Sequence, residues 1–188
     1  MDWLFSVVRV AGASFPLASS LVQLNSEVES KSLAARVRRL EDPVSVLHDD
    51  VPEASRKIYE ALKTQDSSHL EFDEDFYSRF RRPIAALASQ HYLECLRGLN
   101  STLPRAIYLS DPSYVMYMCG LAEDDQKMSS LVARVDECPL GQWLDGEAIK
   151  QETGVPLEAV RACFRIYESK GYGLCSKELG ATRYLGRA

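Results

Sequence analysis

Long apolar runs, paired cysteines and any surplus of positive charge are all missing from this chain, and each absence removes a class of function. The longest stretch free of charge is Val10 to Ser26, 17 residues interrupted by Gly12, Pro16, serines, Gln23 and Asn25. A membrane-crossing helix needs about 20 predominantly apolar residues, so no span is expected. Asp2 stands where a secretory leader carries positive charge, and Arg9 breaks the apolar segment, which argues against a signal peptide. The five cysteines, Cys95, Cys119, Cys138, Cys163 and Cys175, are odd in number and contain no C-x-x-C pair. That spacing fits buried thiols in a reducing, cytoplasmic setting, and neither a disulfide framework nor a zinc site.

The formal net charge is −5, distributed as 0 over residues 1–42, −3 over 43–120 and −2 over 121–188. No region is basic, so the electrostatic footprint of non-specific nucleic-acid binding is lacking. Catalytic signatures are equally thin. There is no Gly-rich phosphate loop, nucleophile elbow or dinucleotide fingerprint. His48 beside Asp49 and Asp50 reads as a capped loop. His91 and Cys95 stand four apart, so on one helix they share a face, but a third group is missing and both fall on a stripe expected to be core. The run Glu71, Asp73, Glu74, Asp75 lacks a calcium-loop turn and suits a helix N-terminus. No catalytic residue, cofactor, metal or small-molecule substrate is expected.

What is present is a pattern of short helices and hairpins, clearest from Asp145 to Ala188. Asp145 can cap a helix over Gly146 to Thr153, and Gly154 supplies the left-handed residue that ends it. Val155 plugs the turn and Pro156 opens the next helix. Val160, Cys163, Phe164 and Tyr167 form an i, i+3, i+4, i+7 stripe that must face a core. Gly171 stops that helix. Tyr172 to Ser176 and Arg183 to Arg187 then pair as a hairpin around Lys177 to Gly180.

Upstream, Asp50, Pro52 and Glu53 make a capping-box arrangement ahead of a helix with Val51, Ala54, Ile58 and Leu62 on one face. His69 to Phe72 alternates like a strand. Asp73 starts a short helix, and Pro83 opens another that is expected to run to Gly98. Leu99 to Leu109 reads as a hairpin, and Asp111-Pro112 begins a closing helix. Pro83 to Gly98 and Pro156 to Gly171 are equally spaced, which suggests a structural repeat. Lys127 to Glu137 then becomes the first helix of the second unit.

Two short helices across a glycine turn, followed by a hairpin, resemble the winged helix-turn-helix family. The fold class expected is mainly α with small antiparallel β-wings. Two tandem winged-helix domains, 43–120 and 121–188, follow an N-terminal helical arm, 1–42. Acidic chains of this architecture resemble the kleisin-interacting tandem winged-helix subunits of bacterial condensins and the winged-helix subunits of ESCRT-II. That resemblance implies protein binding as the main role.

The leading expectation is therefore a non-catalytic, cytoplasmic adaptor that binds a protein partner. The arm supplies candidate partner-binding residues Trp3, Leu4, Val7, Leu21, Leu24 and Val28, and its near-heptad steps from Leu21 to Leu40 suit homodimerisation as well as internal packing, with an amphipathic anchor lying on a membrane surface as the lesser alternative. The alternative is a DNA-binding regulator. Its candidate nucleic-acid residues are Arg79, Arg81, Arg82, Ser89 and Gln90 in the first unit, with Arg161, Arg165, Lys177 and Arg183 in the second. Glu158, at the start of the second recognition helix, counts against phosphate there.

Overall fold

The computed structural model describes residues 44–98, 103–122, 125–178 and 180–186. The N-terminal arm, with Trp3, Leu4, Val7, Leu21, Leu24 and Val28, lies outside the described residues. Two runs of elements follow one another in the same order. The first comprises α1 (Val51–Gln65), β1 (His69–Glu71), α2 (Glu74–Arg79), α3 (Arg81–Ser89), β2 (Glu94–Arg97) and β3 (Pro104–Tyr108). After α4 (Pro112–Ala122), the second comprises α5 (Asp125–Asp136), β4 (Trp143–Asp145), α6 (Gly146–Thr153), α7 (Leu157–Ser169), β5 (Gly173–Cys175) and β6 (Arg183–Gly186). The described chain is thus mainly helical with two small antiparallel sheets. In both sheets the last strand lies in the middle, giving the orders β1-β3-β2 and β4-β6-β5.

Local chemistry sets several of these boundaries. The Asp73 carboxylate accepts from the Phe76 amide at 2.8 Å and starts α2. Asp145 accepts from the amides of Glu147 and Ala148 and starts α6, which quenches free donors of the first turn. Gly154, at φ +71, ends α6 by returning its amide to the Lys150 carbonyl at 2.8 Å. Gly173 is fixed by space instead: a Cβ there would collide with the Tyr184 ring and sit 2.5 Å from the Leu185 carbonyl oxygen.

Three expectations need correction. Asp50 makes no side-chain cap to α1. Its amide instead donates to His48 Nδ1, and Glu53 turns away to pair with Arg79. The helix expected from Pro83 to Gly98 ends at Ser89. His91 adopts a left-handed φ of 61 in the turn that follows, and Cys95 belongs to β2. The two residues therefore share no helix face, and Gly98 follows a strand where Gly171 follows a helix, so the equal spacing marks no structural correspondence. The first hairpin also begins earlier than expected, at Glu94.

The core runs continuously through both units. α4 packs on α1 on one side and on α7 on the other. Six consecutive residues, Tyr114 to Cys119, are buried along it, as a helix apolar on every side requires. Two polar contacts fix its alignment against α1: Ser55 Oγ with Tyr114 Oη at 3.0 Å, and Tyr59 Oη with Cys119 Sγ at 3.2 Å. Buried hydroxyls lose water and must find partners inside, so these contacts select one helix pairing over its neighbours. Outside the core, Lys150 on α6 reaches Asp66 at the end of α1, and Arg56 on α1 donates to the Leu121 carbonyl of α4.

Candidate partner-binding surfaces

α7 is the element on which the candidate residues of the second unit converge. Its expected stripe, Val160, Cys163, Phe164 and Tyr167, is buried. A second set, Ala159, Ala162 and Ile166, is buried as well. These three lie on one flank at steps of three and four, on a helix that packs against α4, α6, α5 and β5. The remaining arc of α7 carries Glu158, Arg161, Arg165, Glu168 and Ser169, and the β5–β6 hairpin stands beside it.

The hairpin is pinned to that arc. The Arg161 guanidinium donates to Thr182 Oγ1 at 2.8 and 3.2 Å, and its other arm pairs with Glu158. Glu168 accepts from the Cys175 amide at 2.9 Å. Between helix and hairpin lies a cleft of about 320 Å³ whose lining includes Arg161, Arg165, Cys175, Ser176, Glu178 and Arg183. Arg165 is exposed and makes no ion pair among the described residues. Arg183 stands 3.9 Å from Asp145 and 3.8 Å from Glu178, beyond ordinary hydrogen-bond length. Burial and the neighbouring Glu168 carboxylate push the Cys175 thiol up to about 12, so at neutral pH it carries its proton and is a poor nucleophile.

Lys177 is exposed in the hairpin loop and does not line the cleft, although its neighbours Ser176 and Glu178 do. The structure therefore brings Arg161, Arg165 and Arg183 together and leaves Lys177 out. It also gives Arg161 a structural duty that the sequence did not reveal.

In the first unit, Arg79 pairs with Glu53 at 2.5 Å and lies over the Phe80 ring. Arg81 and Arg82, at the start of α3, are exposed and have no ion-pair partner among the described residues. Ser89 Oγ donates to the Ala86 carbonyl at 2.7 Å, so the hydroxyl is occupied by its own helix end. Gln90 is exposed just beyond α3.

A feature missed by sequence reading lies on the second sheet. Register places Trp143 opposite Leu185, and Leu185 opposite Leu174. Opposed residues share a face, so an apolar stripe crosses all three strands. Trp143 is 52% exposed, and Tyr172, in the turn before β5 with its ring edge-on to Tyr167, is 55% exposed. Leu140, in the turn before β4, is 66% exposed. In the sequence Trp143 and Leu185 each stand beside another apolar residue, Leu144 and Tyr184, so no alternation marks which of each pair faces outward.

Among the described residues no group of three or more His, Cys, Asp or Glu side chains gathers as a metal site. No helix there is long and apolar enough to cross a membrane. No family model, curated protein or solved structure matches the chain.

Proposed function

We propose that the chain is a tandem winged-helix adaptor, non-catalytic and cytoplasmic, that binds a protein partner through its second unit. Each unit has the order helix, strand, helix, helix, hairpin, with the final strand central, as winged helices require. On this reading α3 and α7 occupy the recognition-helix positions, and the two hairpins are the wings. The observation that carries the adaptor role is exposed Trp143 on the outer face of the second sheet, beside half-buried Leu185 and Leu174, with exposed Tyr172 in the turn before β5. Exposed aromatic side chains flanked by apolar neighbours mark protein interfaces more than nucleic-acid ones. The burial of Ala159, Ala162 and Ile166 on one flank of α7 further narrows what that helix can offer a major groove.

A DNA-binding role is the second reading, favoured by one feature: Arg81 and Arg82, at the start of α3, have no ion-pair partner among the described residues and stand where guanidiniums can grip phosphate. Two measurements separate the readings. Affinity purification from the native host, using the wild-type chain and a Trp143→Ala/Tyr172→Ala variant, should recover a stoichiometric protein partner only with wild type. Duplex DNA should bind weakly and with little dependence on salt. A steep log–log salt slope that flattens in Arg81→Ala/Arg82→Ala, with identical protein recovery from both baits, would replace the adaptor with the regulator.

A further inference from the structure

We infer that the free edge of β4 receives an extended segment of the protein partner, which adds to the second sheet as a fourth strand. This rests on the adaptor reading and says how such a partner is held. β4 and β5 are the two edges of that sheet. β5 packs on α7, whereas Gln142, Trp143 and Asp145 along β4 are exposed.

Register decides which main-chain groups face outward. Leu144 stands opposite Tyr184, and Gly146 donates its amide to the Thr182 carbonyl at 2.7 Å. In an antiparallel ladder, residues bonded to the neighbouring strand alternate with residues that are not. Leu144 and Gly146 therefore bond towards β6. The N–H and C=O of Trp143 and the N–H of Asp145 point away from it, and no side chain or loop among the described residues takes up these three groups.

The first sheet shows the corresponding edge closed. Phe72 donates to the Arg105 carbonyl, so by the same alternation the outward residues of β1 are His69 and Glu71. The Gln65 side-chain amide lies against Glu71 as a neighbouring strand would, accepting from the Glu71 N–H at 3.0 Å and donating to the Glu71 carbonyl at 3.0 Å. The His69 N–H goes to Ser67 Oγ at 3.1 Å. Unpaired strand edges invite further pairing and are commonly blocked, and here one is blocked and its counterpart left open.

The side chains along the open edge describe the incoming strand. Trp143 and Asp145, two residues apart, share the outer face, and residues directly opposed across a ladder also share a face. An antiparallel segment with a cation opposite Asp145 and an apolar residue opposite Trp143 complements both. A second copy of this chain lacks that complement. Two-fold antiparallel pairing sets Asp145 opposite Gly141, Trp143 or Asp145 of the other copy, none of them a cation.

The test uses the full chain, ¹⁵N-labelled, titrated with the extended peptide acetyl-TKTVTVT-amide, whose lysine precedes its first valine by two. The control is the same peptide N-methylated at that lysine and valine, which keeps every side chain and puts a methyl group where each N–H would meet β4. In the free chain, amide exchange should be fast at Trp143 and Asp145 and slower at Leu144 and Gly146. The unmodified peptide should bind saturably, shift the Trp143 and Asp145 amides, and slow their exchange about tenfold at saturation. Trp143→Val keeps the main chain and should weaken binding about fivefold. Trp143→Pro removes an N–H that β6 does not use and should abolish it. Equal binding of the methylated peptide, slow exchange at Trp143 in the free chain, or absence of saturable binding overturns the inference. So does a concentration-dependent dimer that protects the same amides without peptide. If the peptide fails while partner recovery still depends on Trp143 and Tyr172, the edge assignment is wrong and the adaptor reading stands. Loss of that dependence removes the adaptor reading itself.

Discussion

Lys150 Nζ lies 2.6 Å from Asp66 Oδ2, so the second helix of the second unit is tied to the end of the first helix of the first. Both side chains are more than one-third exposed, and an ion pair in that setting contributes little to stability. The weight of the junction rests on α4, buried between α1 and α7.

The two units should accordingly unfold together. In a Trp3→Phe background, Trp143 is the remaining tryptophan and reports on the second unit alone. Its fluorescence transition should coincide with the far-UV circular dichroism transition in a denaturant titration. Met118 is fully buried in α4, and Met118→Ala should cost about 2–5 kcal/mol while both probes shift in step. Lys150→Met should shift the midpoint far less. Separate transitions for the two probes would show that the units melt independently.

The protein should be labile in alkali. Burial raises Tyr77, Tyr114, Tyr167 and Cys163, and it pushes Tyr184 and Cys175 up to about 12 each. These groups are neutral while protonated, so the folded chain holds their protons more tightly than the unfolded chain. The stabilisation is complete below the ordinary values of 9.0 for cysteine and 10.0 for tyrosine, and it is lost as pH rises from there towards the folded values. Thermal midpoints should therefore stay level to about pH 8.5 and fall steeply by about pH 11. Tyrosinate absorbance near 295 nm should rise with unfolding and not ahead of it. A midpoint that stays level over that range would contradict the assignment.

Arg161 and Arg165, one helical turn apart, should behave differently. Arg161→Ala releases Thr182 and strands the Glu158 carboxylate, whose side chain is only 11% exposed. It should lower stability by about 1–3 kcal/mol. Arg161→Lys should recover only part of this, because an ammonium cannot reproduce the fork. Arg165→Ala should stay within about 0.5 kcal/mol of wild type. Chemical denaturation of the three variants checks the ranking, and a neutral Arg161→Ala would mean that the hairpin is anchored elsewhere.

Much of the fold was legible because its signals are local. The Asp73 and Asp145 caps, the Gly154 stop and the α7 stripe each involve residues within a turn of one another. The failures have equally physical reasons. Helical alternation continues past Ser89 through His91 and Cys95, and nothing in side-chain type discloses that His91 takes a left-handed backbone. The buried flank of α7 escaped notice since two of its three members are alanines, which suit surface and core alike. Tyr114 to Cys119 shows no period at all, as its surroundings are apolar on every side. Arg161 looked like open surface because its acceptor, Thr182, is 21 residues away. Arg165 and Arg183 were picked out as charges, whereas the concavity joining them exists only once the hairpin folds back.

The helix from Pro112 to Ala122 belongs to neither half more than the other. Cutting the chain on either side of it would bare an oily rod or uncover the back of its neighbour, so neither half is finished without the other. The surfaces at the two ends are thereby held at a set angle and spacing, like the jaws of a fixed gauge.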